Sequence, residues 1–334
     1  MRPAAHPLDV SRATFELSSR VADNLFWLGR YTERLEAAAR IVRAVLARLS
    51  QEGDSAGIAA LNALTDILTS LGYMGERRPT LERALLAMIY DPDAPNGLVW
   101  SIHQVRRVAW LLRDRISLDT WLILNQLDQQ FSTHRPSERF QVGTVQDRLN
   151  QVITTLADFG GLVMESMTRG DGWRFLDIGR GLERALQMVE LLRNSLLPQS
   201  LSDVGVLEVV LEIADSSTTY RSRYLTSLQP ELVLDLLLVD EANPRSIAFQ
   251  LVRLLEHMTN LPGAKISIRR TPEEKLALSM EMMVQLAEVR ELVQSEQAPE
   301  RLETLLRRLR TNLSSLSDTL TRAYFSHAVQ SRRL

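Results

Sequence analysis

A six-residue pattern, Gly-Arg-x-x-Glu-Arg, occurs twice in this chain: Gly29-Arg30-Tyr31-Thr32-Glu33-Arg34 and Gly179-Arg180-Gly181-Leu182-Glu183-Arg184, 150 residues apart. Each copy lies inside a long stretch of helical periodicity, where a glycine costs about 1 kcal/mol relative to alanine. A chain that places one there twice, each time beside an Arg and a Glu, has a packing or binding use for it at both places.

The flanking patterns keep register with the motif. Val21, Leu25, Leu28, Thr32, Leu35, Ala39, Val42, Leu46 and Leu49 advance in steps of three and four, the signature of one buried helical face. Asp171, Phe175, Ile178, Leu182, Ala185, Val189, Leu192 and Leu196 repeat it in the same phase. At about 100° per residue, Gly29 and Glu33 fall on a different side, with Phe26, Ala37 and Arg40. Leu176, Gly179, Glu183, Gln187 and Glu190 form the matching side of the second copy. Large apolar residues, glycine and charge mixed in this way predict a second contact surface, where a helix or ligand approaches the backbone.

The rest of the chain follows in parallel order. After a polar lead-in over 1–17, Leu17-Ser18-Ser19 offers an N-cap. Further helices are expected over 58–71, 81–89, 101–115, 118–127 and 145–167, with a loop over 132–143. In the second part they are expected over 204–224, 232–239, from Asn243-Pro244 through 257, 271–294 and 300–329. Segments 91–101 and 240–246 correspond, each leading into a helix that starts Ser-Ile. Lys265-Ile266-Ser267-Ile268 alternates but is too short and isolated for a strand. The expected fold is all-α: two tandem, similar halves, 18–170 and 171–330, related by a pseudo-twofold axis and packed as one body. Gly29 and Gly179 should meet at the axis.

Composition removes several function classes. There is no cysteine, so no thiolate nucleophile and no cysteine-ligated metal. The formal net charge of −2 gives no electrostatic case for nucleic acid or an anionic membrane. No stretch approaches the roughly 20 apolar residues of a membrane span, and a cytoplasmic protein is expected. None of the five histidines has a Glu three residues before it, and His-Glu-x-x-His is absent, so no metal is expected. No phosphate-binding Gly-rich loop or Gly-x-Ser-x-Gly occurs, and no cofactor is expected. His103 and His257 read as packing or surface residues. Arg106, Arg107, Arg113 and Arg115 share a region with Trp100, Trp110 and Trp121, but Asp114 and Asp119 interrupt it.

The motif charges admit three readings. Arg30–Glu33 and Arg180–Glu183 are i,i+3 and could form local ion pairs worth a few tenths of a kcal/mol. Alternatively the helices cross, and Glu33 pairs with Arg184 while Glu183 pairs with Arg34. In the third, Arg30, Arg34, Arg180 and Arg184 line a pocket for a carboxylate or phosphate. Tyr220, Arg221 and Arg223 could complement a helix dipole or extend the wall of such an anion site. Replacing Glu33 should destabilise the fold, whereas replacing Arg40 should not.

Asn24-Leu25-Phe26-Trp27-Leu28-Gly29-Arg30-Tyr31-Thr32-Glu33-Arg34 resembles the opening of the alpha-E domain family, helical bacterial proteins named for a Glu-Arg motif. Arg113-Asp114-Arg115-Ile116-Ser117 with Trp121 and Asn125, Tyr220-Arg221-Ser222-Arg223-Tyr224, and Leu234-Asp235-Leu236-Leu237-Leu238 running into Asn243-Pro244-Arg245-Ser246 extend the resemblance over about 18–324. Gly97-Leu98-Val99-Trp100 departs from the Asn-Pro-x-Ser pattern of the later turn. The resemblance implies an all-helical fold and association with a circularly permuted ATP-grasp ligase and a transglutaminase-like protein. Three functions then compete. The chain is an accessory component binding the ligase or its anionic peptide substrate, an enzyme using Glu33 and Glu183 as acid/base groups with arginine clamps, or a purely structural assembly protein.

Overall fold

The computed structural model describes residues 17–49, 55–72, 81–132, 142–196, 203–266 and 268–326, and these are helical with no strand among them. The helices are α1 (Ser19–Leu49), α2 (Ser55–Ser70), α3 (Leu81–Tyr90), α4 (Leu98–Leu111), α5 (Leu118–Ser132), α6 (Val142–Ser166) and α7 (Asp171–Ser195). They continue as α8 (Val204–Ile213), α9 (Ser217–Tyr224), α10 (Pro230–Leu234), α11 (Ile247–Thr259), α12 (Pro262–Ile266), α13 (Pro272–Gln285), α14 (Val289–Gln294) and α15 (Ala298–Leu320). Residues 1–16 of the lead-in, and with them His6, lie outside the described residues, as do His134, Pro136 and His327.

α1 and α7 form the centre. The apolar stripe of α1 is buried at Leu25, Leu28, Leu35, Val42 and Leu46, while Val21 and Leu49, at its ends, are less covered. Its second side is buried as well, at Phe26, Gly29, Glu33 and Arg40. A helix covered on both sides is an interior helix. α7 lies along it, α4 and α6 pack on α1, and α11 and α15 pack on α7. α5 joins α4 to α6, as α13 joins α11 to α15. α2 packs against α1, α7 and α8.

Several predicted helices are divided or shifted. The helix expected over 204–224 breaks between α8 and α9 at Asp215, whose φ of 53° is left-handed. The one over 271–294 stops at Gln285 and resumes at Val289. Its start is as expected, with Pro272 in the first turn and a capping box between Thr271 and Glu274. α10 runs into a π turn, Asp235–Val239. α15 likewise ends in a π turn, Thr321–Phe325, that seats Phe325 within 5.3 Å of the Phe26 ring and 5.5 Å of the Phe175 ring.

Asn243-Pro244 belongs to a turn rather than to the helix, and the N-cap of α11 is Ser246, whose hydroxyl accepts from Phe249 N. The Asp240 carboxylate accepts from Ala242 N at 2.9 Å, and Ser246 N donates to Asn243 O at 2.9 Å. Asp91 accepts from Asp93 N at 2.9 Å, and Gly97 N donates to Ala94 O at 2.9 Å. Gly97 is the N-cap of α4, as Ser246 is of α11. Ser101, expected in that place, lies one turn inside the helix. A side chain at 97 would meet Met88 O at 2.8 Å, which explains why no serine cap stands there.

Candidate functional site

The site begins with the two glycines. A Cβ built on Gly29 would lie 2.2 Å from Leu176 O, and one on Gly179 would lie 2.1 Å from Phe26 O. Each glycine thus receives the backbone of the other helix, at the carbonyl three residues before the opposite glycine. Helix axes normally stay about 8–10 Å apart because side chains intervene. Removing both Cβ atoms allows the close crossing.

That crossing aligns the motif charges. Glu183 accepts from Arg30 Nε at 2.6 Å, and from Arg34 Nε and Nη2 at 2.9 and 3.0 Å. Glu33 accepts from Arg180 Nε at 2.8 Å, and from Arg184 Nε and Nη2 at 2.9 and 2.7 Å. Each glutamate holds one forked arginine and a second, singly bonded one, both arginines from the opposite helix, in the geometry that favours guanidinium over ammonium. Glu183 accepts a further bond from Gln187 of its own helix at 3.1 Å. The i,i+3 arrangement is not what the motif arginines adopt. The Glu33 and Glu183 side chains are 5% and 4% exposed. Arg30 also donates to Ser317 on α15 at 2.9 Å, while the Arg180 guanidinium passes over Gly160 on α6.

Burial alone would raise the Glu183 pKa, but Arg30 and Arg34 outweigh it and hold the carboxyl down at about 2. A carboxylate so held, with its oxygens taken by two guanidiniums, is not poised to exchange protons near neutrality.

A second layer lies on the Arg184 side. Glu36 accepts from Arg40 at 2.9 Å and from Arg245 at 3.0 Å. Burial raises its pKa, and Arg245, Arg40 and Arg184 override this to bring it to about 2. Arg40 and Arg245 also reach one oxygen of Asp215, at 3.1 and 3.3 Å. Beside them lies a small, half-open pocket with about 50 Å3 of free space. Its polar wall is Glu33, Glu36, Arg40, Arg184, Gln187 and Arg245; its apolar wall includes Ile41, Met188, Leu191 and Ile213.

Arg40 is only 7% exposed and bridges two carboxylates, which corrects the expectation that it contributes little. A Glu36–Arg40 spacing of i,i+4 reads as a surface pair until the whole of α1 is seen to be covered. Arg245 was visible only within the Asn243-Pro244-Arg245-Ser246 run, and Asp215 carried no local signal.

Tyr220, Arg221 and Arg223 do not line this pocket. The buried Tyr220 hydroxyl donates to Ser227 O at 3.0 Å and accepts from Gln229 N at 3.1 Å, fixing the loop after α9. Arg223 pairs with Asp240 in the last turn of α9, and Arg221 is exposed. His257 is buried and meets Asp177 at 2.8 Å, where Arg253 also donates at 2.7 Å. Burial would raise the Asp177 pKa, but the His257 and Arg253 bonds lower it well below the carboxylate range. Arg113 stacks over the half-exposed Trp110 at 4.7 Å, and Arg106 pairs with Asp128. Among the described residues no group of three or more His, Asp or Glu could hold a metal ion, and no helix is long and apolar enough to cross a membrane.

An all-helical body centred on two crossed Glu-Arg helices defines the class. Residues 17–325 match Alpha-E, described as a predicted alpha-helical domain with a conserved ER motif, and the chain belongs to that family. Glu33-Arg34 and Glu183-Arg184 are dipeptides of the kind the description names. The chain is 29% identical over 340 residues to the uncharacterized protein Rv2567 of Mycobacterium tuberculosis, and equally to the uncharacterized protein Mb2597 of Mycobacterium bovis. Each alignment covers 95% of this chain but only 38% of the relative. No solved structure matches the chain.

Proposed function

We propose that this chain is an accessory binding module that holds an anionic peptide, for a partner enzyme, at the pocket beside the Arg184 end of the helix crossing. The observation that carries this reading is the charge of the cluster. Arg30, Arg34, Arg180, Arg184, Arg40 and Arg245 face the four carboxylates Glu33, Glu183, Glu36 and Asp215 across the crossing, and on the pocket wall itself Arg40, Arg184 and Arg245 outnumber Glu33 and Glu36. Such an excess favours a carboxylate or phosphate group. The two motif glutamates, sequestered by arginines, serve to position those arginines rather than to transfer protons.

The family resemblance suggests the partner: a circularly permuted ATP-grasp ligase, with a transglutaminase-like protein in the same system. Peptide or amide-bond modification is the corresponding role. Relatives more than twice as long as the matched region fit a module that works beside further protein.

Titration of the purified chain with an acidic peptide and a neutral peptide of equal length tests the reading. The acidic peptide should bind more tightly, and binding should weaken with added salt and in Arg245→Gln. Co-purification with the ligase, followed by ATP turnover with and without this chain, tests the partner. Equal binding of both peptides would leave the cluster a purely structural lock. ATP hydrolysis or amide turnover by the chain alone, lost in Glu33→Gln, would replace the reading with an enzymatic one.

A further inference from the structure

The four carboxylates of the cluster are not equivalent. The Glu33, Glu183 and Glu36 side chains are no more than 10% exposed, whereas that of Asp215 is 55% exposed. Asp215 offers one oxygen to two arginines at 3.1 and 3.3 Å, the longest contacts in the cluster. It comes from neither central helix but from the break between α8 and α9, where its φ of 53° is a conformation that L-residues adopt at a cost. A loosely held, solvent-exposed carboxylate, mounted on a strained turn, thus occupies the fork of Arg40 and Arg245, two residues that themselves line the pocket.

The inner wall has a different chemistry. Ile41, Met188, Leu191 and Ile213 line the space next to that fork. An incoming group satisfies both surfaces when it carries a carboxylate on a short branched aliphatic body. Small-molecule sites combine such an apolar wall with a few placed polar groups. Phosphate alone would leave the apolar wall in water.

We propose that Asp215 is an internal stand-in for the ligand, and that a carboxylate on a short aliphatic group displaces it from Arg40 and Arg245 and lays its apolar body against Ile41, Met188, Leu191 and Ile213. This rests on the anion-binding reading above and specifies its ligand. The carboxylate has two sources, a peptide C-terminus ending in an aliphatic residue or a free branched-chain acid. Asp215 makes the site selective, because a ligand must outcompete a tethered carboxylate already in place.

The test uses the full chain and four probes: N-acetyl-leucine, N-acetyl-leucinamide, 4-methylpentanoate and inorganic phosphate. Asp215→Asn is the informative variant, since Asn tolerates the left-handed backbone nearly as well as Asp while removing the competing charge. N-acetyl-leucine should bind the wild type and bind Asp215→Asn about fivefold more tightly, the effect of one competing charge about 4 Å away in water. The amide should fail to bind either protein. Tighter binding of N-acetyl-leucine than of 4-methylpentanoate identifies a peptide C-terminus, and equal binding a free acid. Either supports the proposal.

Unchanged or weaker binding to Asp215→Asn, equal binding of the amide, or tighter binding of phosphate would overturn it. If N-acetyl-leucine binding still depends on Arg245, the anion-binding reading survives those results. If no anion binds wild type or Asp215→Asn, both readings fall. Thermal unfolding of each variant, run alongside, separates lost binding from lost fold.

Discussion

Glu33 on α1 and Arg184 on α7 are joined by two parallel bonds, 2.9 and 2.7 Å long, although 151 residues of chain separate them. Arg34 and Glu183 repeat the arrangement in reverse. The two forks and the two glycines constrain the same coordinate, the slide of one helix along the other. A slip by one residue would drive a Cβ into a backbone carbonyl and part both pairs.

Removing one partner therefore exposes the other's burial cost. Glu33→Ala leaves Arg180 and Arg184 buried without their carboxylate, and Glu183→Ala does the same to Arg30 and Arg34. Breaking a buried pair from one side costs about 3–5 kcal/mol. Urea unfolding should show each substitution lowering stability by that amount. A loss below about 1 kcal/mol, the range of exposed pairs, would show that water already reaches the crossing.

The glycines yield a sign reversal. Alanine is the better helix former by about 1 kcal/mol, so Gly161→Ala on α6, where nothing lies within 4 Å of the added carbon, should stabilise or be neutral. Gly29→Ala and Gly179→Ala should destabilise by about 1–3 kcal/mol or more, because the carbon meets a backbone oxygen that cannot rotate away. Calorimetric midpoints of the three variants check the ordering. A stabilising Gly29→Ala would contradict the close approach.

How much of this was written in the chain depends on where each partner comes from. The stripes of α1 and α7 were legible because burial on a helix leaves its own period. The cross-helix pairs were readable as one of three options, since identical motifs carry both an acid and its base. Asp215 was not legible: apolar spacing continues through Ile213 and Ala214, and only tertiary partners, Arg40 and Arg245, hold a left-handed residue there. The role of Arg40 was illegible for the same reason, since Asp215, one of its two carboxylate partners, comes from a distant turn. Arg40→Ala should accordingly destabilise by about 1.5–3 kcal/mol, the worth of bonds to charged groups, measured in urea. A change within a few tenths would restore the original expectation.

Acid should loosen the same centre. Glu183 and Glu36 have folded pKa values of about 2 against an ordinary 4.5, so both are depressed. A depressed carboxylate contributes stability that is present in full above its unfolded value and disappears as pH falls through its folded one. The loss should run from about pH 4.5 to pH 2, on the order of 3 kcal/mol for each group. Urea midpoints at pH 7, 4.5, 3.5 and 2.5 would trace it, and Glu183→Gln should flatten the curve. A wild-type profile that stays level across this window would mean that the carboxylates are not held as described.

The duplicated motif suggests two halves, 18–170 and 171–330, but neither contains what satisfies its own glutamate. Glu33 takes its arginines from α7, Glu183 takes its from α1, and Glu36 depends on Arg245 before α11. α2 also packs across the boundary onto α7 and α8. A fragment of residues 18–170 alone would expose the second side of α1, Phe26 and Gly29 with it, and leave Glu33 without its arginines. It should show helical circular dichroism without a cooperative thermal transition, and mixing it with 171–330 should restore the transition. Cooperative unfolding of the isolated first fragment would establish two autonomous domains in place of one body.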